Sequence, residues 1–290
     1  MKGILIYDKE SADYNRNGIA IYLKEAKKYD ITLSLVYYEE LNYGIRDNLF
    51  FIDYEGKLLT DLDFAINRNR DYRLAKHLES MGIRVFNKSL VNRIGNHKWE
   101  TYEYLLGFHI PMPDTIFVAN QKIRDYLSTC KKTVVIKAVH GHGGNQVCCY
   151  NPDRPKEIES IIKIMINEDV VIQPFIKGKG KDLRVYVIGE DIIGAVLRTA
   201  TKDFRSNYSL GGRVELYQLN EHEIEKVHQI MNCIPLDYAG IDFILDEDEN
   251  LLFNEIEDVV GARMLYECSN IDPIQLYMEY VFKTLNNSSQ

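Results

Sequence analysis

No cysteine framework is visible in this chain. Its five cysteines, Cys130, Cys148, Cys149, Cys233 and Cys268, form an odd set without the spacing of a zinc site or of a secreted disulfide scaffold, so they read as reduced thiols. No apolar run approaches the length of a membrane span, and the apolar stretch after Met1-Lys2 stops at Asp8, too soon for a signal peptide. A cytoplasmic protein with no membrane partner is expected. No glycine fingerprint follows the first apolar run, which argues against a dinucleotide site. No Ser/His/Asp or Cys/His constellation announces a covalent nucleophile. Positive charge is not in excess: the net charge is -8, which gives no reason to expect nucleic-acid binding. What remains, with 46% hydrophobic and 27% charged residues over 290 positions, is a globular chain long enough for two or three modules.

The pattern along the chain is that of alternating strands and helices. Gly3–Tyr7 reads as a buried strand, Gly18–Lys28 as a helix after a polar loop, and Ile31–Val36 as a second strand. Asp63–Ile66, Tyr72–Met81 and Arg84–Phe86 continue the order, predicting a small parallel α/β domain over residues 1–95. Arg68, Arg70 and Arg73 follow a predicted strand end, where open α/β sheets place ligands, so Arg68 is a candidate anion site. Beyond Asn96 the spacing predicts a helix over Lys98–Leu106, strands at Thr115–Val118 and Thr133–Lys137, and a glycine-rich loop, His140-Gly-His-Gly-Gly-Asn145. Its glycines would let backbone N–H groups approach an anion, although a flexible hairpin turn would look the same. The loop's histidines are expected to be exposed. A helix over 155–167 and a strand at Asp169–Gln173 lead to the basic loop Lys177–Lys181.

Two hairpins carry the chemistry. Asp182–Ile188 and Ile192–Arg198 flank Gly189-Glu-Asp191, and arginines inside such apolar strands need an anionic partner. After a predicted helix over Glu221–Ile234, Ala239–Leu245 and Leu251–Glu257 flank the polar cluster Asp246–Asn250. With the loop centred between Asp248 and Glu249, Asp242 falls opposite Glu255, and Glu257 shares the face of Glu255. Three converging carboxylates repel unless a cation sits among them, and hard oxygen ligands suit Mg²⁺. Ordinary solvated hairpin acids are the other reading of the same residues.

The order Lys98, Lys137, glycine-rich loop, strand and linker, Asp182-Leu-Arg184, Arg198, Phe204-Arg-Ser-Asn207, Asp242 and Glu255-Ile-Glu257 resembles the ATP-grasp fold, an α/β (α+β) architecture. Within it the chain is most similar to the RimK branch, which joins glutamate or a related amino acid to a carboxyl group. The resemblance implies an N-terminal pre-ATP-grasp domain over 1–95 and an ATP-grasp domain over 96–286. The latter would comprise a central lobe at about 112–173 and a C-terminal lobe at about 177–286, the two clasping ATP. It implies that Lys98 and Lys137 hold ATP phosphates beneath the loop of Gly141, Gly143 and Gly144. Gln173, Pro174, Phe175 and Ile176 would read adenine, with Phe253 as an apolar wall and Asp182 near the ribose. Arg184 and Arg198 would be catalytic, binding the transferring phosphoryl group, and Asn207 would help at the phosphate. Asp242, Glu255 and Glu257 would ligate Mg²⁺, two ions being expected and Mn²⁺ an acceptable substitute. Arg68 and Arg205 are candidates on the substrate side. The partners implied are ATP, a carboxylate and an amine, with a homo-oligomer compatible with the sequence.

The implied activity is an ADP-forming carboxylate–amine ligase that activates a carboxylate as an acyl-phosphate. A small-molecule kinase and a non-catalytic ATP-binding module are the alternatives; a phosphorylated product that persists without an amine would mark the first. The family's Glu-x-Asn-x-x-Pro-Gly ending here reads Glu255-Ile-Glu-Asp-Val-Val-Gly261. The third ligand is therefore a carboxylate in place of an amide, which should raise metal affinity, and the proline is missing from a turn that lines the acceptor site. Pro174 also stands where an acidic residue is common.

Overall fold

Gly3–Tyr7 is an unbroken apolar run, a composition that suits a strand covered on both faces. In the computed structural model, which describes residues 1–177, 180–200 and 213–287, this run lies in β1 (Lys2–Tyr7), followed by α1 (Lys9–Tyr14), α2 (Arg16–Lys27) and β2 (Thr32–Tyr37). A three-stranded meander follows, β3 (Leu41–Arg46), β4 (Leu49–Tyr54) and β5 (Lys57–Leu58); then come β6 (Phe64–Asn67), α3 (Tyr72–Ser80) and β7 (Arg84–Phe86). The strand order β2-β1-β6-β7 is wholly parallel. Helix α1 occupies what the sequence suggested was a polar loop. Asp8 caps it by accepting from the Ser11 N–H at 2.7 Å, but only Ala12 of the helix is buried, so no apolar periodicity announces it.

The chain then crosses through α4 (Ser89–Gly95) and α5 (Lys98–Leu106) into a small lobe: β8 (Ile116–Val118), α6 (Ile123–Thr129), β9 (Val134–Ala138), β10 (Val147–Tyr150), α7 (Ile158–Ile164) and β11 (Val170–Pro174). Its sheet, β10-β9-β11-β8, is antiparallel and closes on α6 and α7 around Ile123, Leu127, Ile136 and Ile161. The larger lobe comprises β12 (Lys181–Ile188), β13 (Asp191–Thr199), β14 (Arg213–Tyr217), α8 (Glu221–Cys233), β15 (Tyr238–Leu245), β16 (Leu251–Glu257), α9 (Arg263–Cys268) and α10 (Pro273–Asn287). Its antiparallel sheet runs β14-β13-β12-β15-β16.

The period of two along β12 divides the large sheet's faces. Leu183, Val185 and Val187 pack with α5 and α8, while Tyr186 and Ile188 pack with α2 and α10 of the opposite layer. Arg184 lies in register between those two faces' residues and shares the side of Tyr186. Tyr22 of α2 and Phe86 of β7 meet Tyr277 edge to face at 6.1 and 6.5 Å, so the C-terminal helix is fastened to the N-terminal layer. No helix among the described residues is long and apolar enough to cross a membrane.

Candidate active site

The centre of the site is set by strand register. Arg184 on β12 stands directly opposite Asp242 on β15, and Asp242 stands opposite Glu255 on β16, while Asp182 faces Arg198 on β13. Arg184 donates through Nε and Nη2 to the two oxygens of Asp242, both at 2.6 Å, and its Nη2 also reaches Glu257 at 3.0 Å. Arg198 donates to Asp242 at 2.7 Å and grips Asp182 with Nε and Nη2. Gly240 makes room for this: a Cβ there would sit 3.2 Å from Arg184 Cδ and 2.9 Å from Val260. Burial alone would push the Asp242 carboxyl up, but Arg184 and Arg198 hold it down at about 2.

Asp242, Glu255 and Glu257 offer oxygens within 4.8 Å of one another. The convergence depends on a bulge. Phe243 pairs with Phe253 whereas Asp242 pairs with Glu255, so Asn254 is the extra residue on β16. The turn is centred on Asp248, half a residue earlier than its composition suggests, and the bulge restores the register at the carboxylates. Asn254 is also a site residue that the sequence did not disclose. Its Oδ1 accepts from Lys137 Nζ at 2.5 Å, and its carbonyl accepts from the Tyr102 hydroxyl at 2.7 Å. A mismatch between turn parity and the carboxylate pairing would have been the signal for it.

Two lysines join this cluster, one from α5 and one from the small lobe. Lys98, in the first turn of α5, pairs with Glu255 at 3.2 Å and donates to the Gly141 carbonyl at 2.5 Å. Glu255 is drawn below the usual carboxylate range, burial opposing and Lys98 prevailing. Lys137, on β9, is 7% exposed, and burial brings its ammonium down to about 8, with Glu255 opposing. Gly143 and Gly144 have φ of 63° and 77°, left-handed backbone that glycine adopts without strain. His142 is half-buried, against the expectation of exposure. Desolvation, with Arg70 and Lys98 nearby, holds its imidazole down at about 3 and therefore neutral. His140 is exposed and meets Glu168 at 3.1 Å.

The remaining candidates sit as follows. Gln173 is buried and bonds Thr115 at 2.9 Å. Pro174 is exposed at the end of β11, and the Phe175 N–H is engaged with the Thr133 carbonyl at 3.1 Å; Ile176 is half-buried beside them. Phe253 is wholly buried against the edge of Tyr102 and presents no free face to a ring. Asp182 belongs to Arg198. Arg205 and Asn207 lie outside the described residues. Arg68 is buried below the site, and Arg73 is turned away onto Asp71. Asp258, next to Glu257, is buried and accepts from the side-chain amides of Asn87, Asn92 and Asn96 at 2.9, 2.6 and 3.0 Å, which fixes the end of β16 to the ends of β7 and α4.

Two α+β lobes that face each other across lysines, arginines and a carboxylate cluster define the class of ATP-grasp proteins. The RimK-like ATP-grasp domain model matches residues 95–280, and the chain belongs to that family. Human N-acetylaspartylglutamate synthase A is 31% identical over 233 residues, covering 77% of this chain and 58% of that protein. The chain thus spans rather more than half the length of the curated relative. A RimK domain ATP-grasp protein from Sphaerobacter thermophilus superposes with a TM-score of 0.72 at 17% identity, covering 97% of this chain and 99% of its own. The ATP-grasp ligase PsnB, solved with Mg, ADP and a variant of its minimal precursor, superposes at 0.69 with 15% identity, covering 99% and 98%. These likenesses establish the ATP-grasp fold.

Proposed function

We propose that this protein is an ATP-dependent, ADP-forming carboxylate–amine ligase. The observation that carries the proposal is the convergence of Lys98, Lys137, Arg184 and Arg198 with Asp242, Glu255 and Glu257 between two lobes of this fold. Amide formation from a carboxylate needs an activated acyl group, and transfer of a γ-phosphoryl group provides one. That reaction asks the protein to position and neutralise charge, not to supply a nucleophile.

Lys137 and Lys98 would bind phosphate oxygens, with the His140–Asn145 loop over them and the Gln173–Ile176 linker beside the base. Arg184, Arg198, Glu257 and Gly143 all border one cavity of about 260 Å³. There the two guanidinium groups would hold the transferring phosphoryl group and then the acyl-phosphate, ready for attack by an amine. Asp242, Glu255 and Glu257 fit a hard dication as an all-oxygen set and would hold Mg²⁺, two ions in our reading. Mg²⁺ held there would supply charge neutralisation for phosphoryl transfer. Arg184 and Arg198 both donate to the Asp242 oxygens, so they would share that carboxylate with the metal. We take residues 1–95 as the pre-ATP-grasp domain and the protein as cytoplasmic, in keeping with its unbridged cysteines.

The test is product analysis with hydroxylamine in place of the amine. ADP, phosphate and a hydroxamate are expected from a pool of carboxylates. AMP would overturn the mechanism, and ADP with a stable phosphorylated product and no hydroxamate would mark a kinase.

A further inference from the structure

Behind the phosphoryl-transfer cavity lies a second chamber of about 460 Å³, between α2 and the segment 260–267. Tyr7, Ile21, Tyr22, Tyr238, Tyr266 and Ile274 give it a mostly aromatic and apolar wall, with Asn15, Asn17, Arg263 and Glu267 as its polar part. Arg68 borders both cavities. Its guanidinium is nine-tenths buried, yet it forms no ion pair among the described residues. Only an Nη2–H finds an acceptor, the Val260 carbonyl at 2.6 Å, while Nε is buried with none. Asp258, an acid that feels the Arg68 charge, is committed to three asparagine amides. The Tyr238 ring lies 5.9 Å from the guanidinium, and the Tyr238 hydroxyl is also buried without a partner. A buried cation with unused donors in a fixed fork is costly to keep unless an anion completes it, and a planar guanidinium suits a carboxylate.

We infer that this chamber binds a carboxylate-bearing substrate with a bulky apolar or aromatic body, its carboxylate on Arg68 and Tyr238 and its body against the tyrosine wall. The inference rests on the ligase reading only for calling that molecule a substrate, since the binding itself needs no nucleotide. A size of about 300–1,000 Å³ is typical of small-molecule pockets, so the chamber has room for more than a compact anion.

Calorimetric titration of the full chain without nucleotide tests it, with N-acetyl-L-phenylalanine as the probe. Three controls each remove or change one feature: N-acetyl-L-phenylalaninamide lacks the carboxylate, N-acetylglycine lacks the body, and N-acetyl-L-glutamate has an acidic body. The aromatic acid should bind at least about tenfold more tightly than any of the three, the scale of a hydrogen-bonded charge. Arg68→Gln should bring the acid down to the affinity of the amide. Tyr238→Phe, which removes an oxygen that bonds nothing in the free protein, should weaken the acid severalfold and decides the matter if Arg68→Gln does not fold. Equal binding of acid and amide, preference for the glutamate derivative, no binding of the aromatic acid at millimolar concentration, or indifference to these variants would overturn the inference. ADP formation is followed in parallel. ADP formation without acid binding rejects the chamber alone, and acid binding without nucleotide cleavage rejects the ligase reading alone.

Discussion

Lys137 offers a quantitative test because its ammonium is buried before any phosphate arrives. Its pKa falls from 10.5 to about 8 on burial, a difference worth about 3 kcal/mol against the charged form. A base with a depressed folded-state pKa destabilises the fold fully below that value. The penalty fades as pH rises from about 8 to 10.5, where the unfolded chain also loses its proton. Lys137→Met keeps the length of the side chain and removes the charge. At pH 7 the ligand-free variant should therefore be more stable than the parent, by up to about 3 kcal/mol, or several degrees in Tm at about 2 °C per kcal/mol. Loss of the hydrogen bond to Asn254 makes this an upper bound. The advantage should shrink steadily between pH 8 and 10.5. With MgATP at a hundredfold excess over Kd the variant's advantage should largely vanish, because the parent gains about 2.7 kcal/mol while the variant has lost its phosphate contact. Melting curves of both proteins across pH, with and without MgATP, are sufficient. A variant less stable than the parent at every pH by the same amount, or stabilised equally by MgATP, would refute the placement of Lys137 as a buried phosphate ligand.

Three further outcomes are expected. Glu255→Gln should lower Mg²⁺-dependent ADP formation by more than the roughly 10–100-fold typical of outer-shell changes around a metal, with the fold retained by circular dichroism. Arg198→Lys keeps the charge but not the paired grip on Asp182 and Asp242; hydroxamate formation should fall by about 10²–10³ while the Kd for MgATP changes little. Mg²⁺ without nucleotide should barely move Tm, because the carboxylates are already neutralised by lysine and arginine, whereas MgATP should raise it by several degrees; a large shift with Mg²⁺ alone would contradict that arrangement.

The fold was legible where periodicity and burial agree. The strands around Leu5, Ile172, Val185 and Ile241 are apolar enough to read directly, and so are the two hairpins β12–β13 and β15–β16, although not the β12–β15 pairing that sets Arg184 opposite Asp242. Helix α1 and the β3–β5 meander were not legible. The helix is held by a cap and buries a single residue, and the meander alternates weakly with exposed Ile45, Leu49 and Leu58. In the site, the carboxylate pairing was predicted from a turn centre that is half a residue off, and the Asn254 bulge made it hold. The partners of Arg184 and Arg198 were less accessible. Their need for anions was plain from composition, but whether those anions are phosphate oxygens or the protein's own carboxylates depends on cross-strand neighbours, which β12, β13 and β15 fix only when assembled. Phe253 shows the same limit: its side chain is sealed by Tyr102 from a helix distant in sequence.

The replacement of the family's amide by Glu257 takes a different meaning in this setting. Considered alone, a third carboxylate should tighten metal binding. Here Glu257 accepts from Arg184 at 3.0 Å, so its charge is shared with a guanidinium that also serves Asp242. Asp182, Asp242, Glu255 and Glu257 stand among Lys98, Lys137, Arg184 and Arg198, so each of these carboxylates already has a cationic partner, and Arg68, Arg70 and Arg263 border the same cavity. If these carboxylates hold Mg²⁺, a bare dication would have to compete with Arg184, whereas phosphates would offer the arginines another anion. The extra carboxylate therefore holds Arg184 in place while the cleft is free of ligand. On the same reading it would tie metal entry to nucleotide entry, since a buried guanidinium leaves its carboxylate at least cost when another anion is offered.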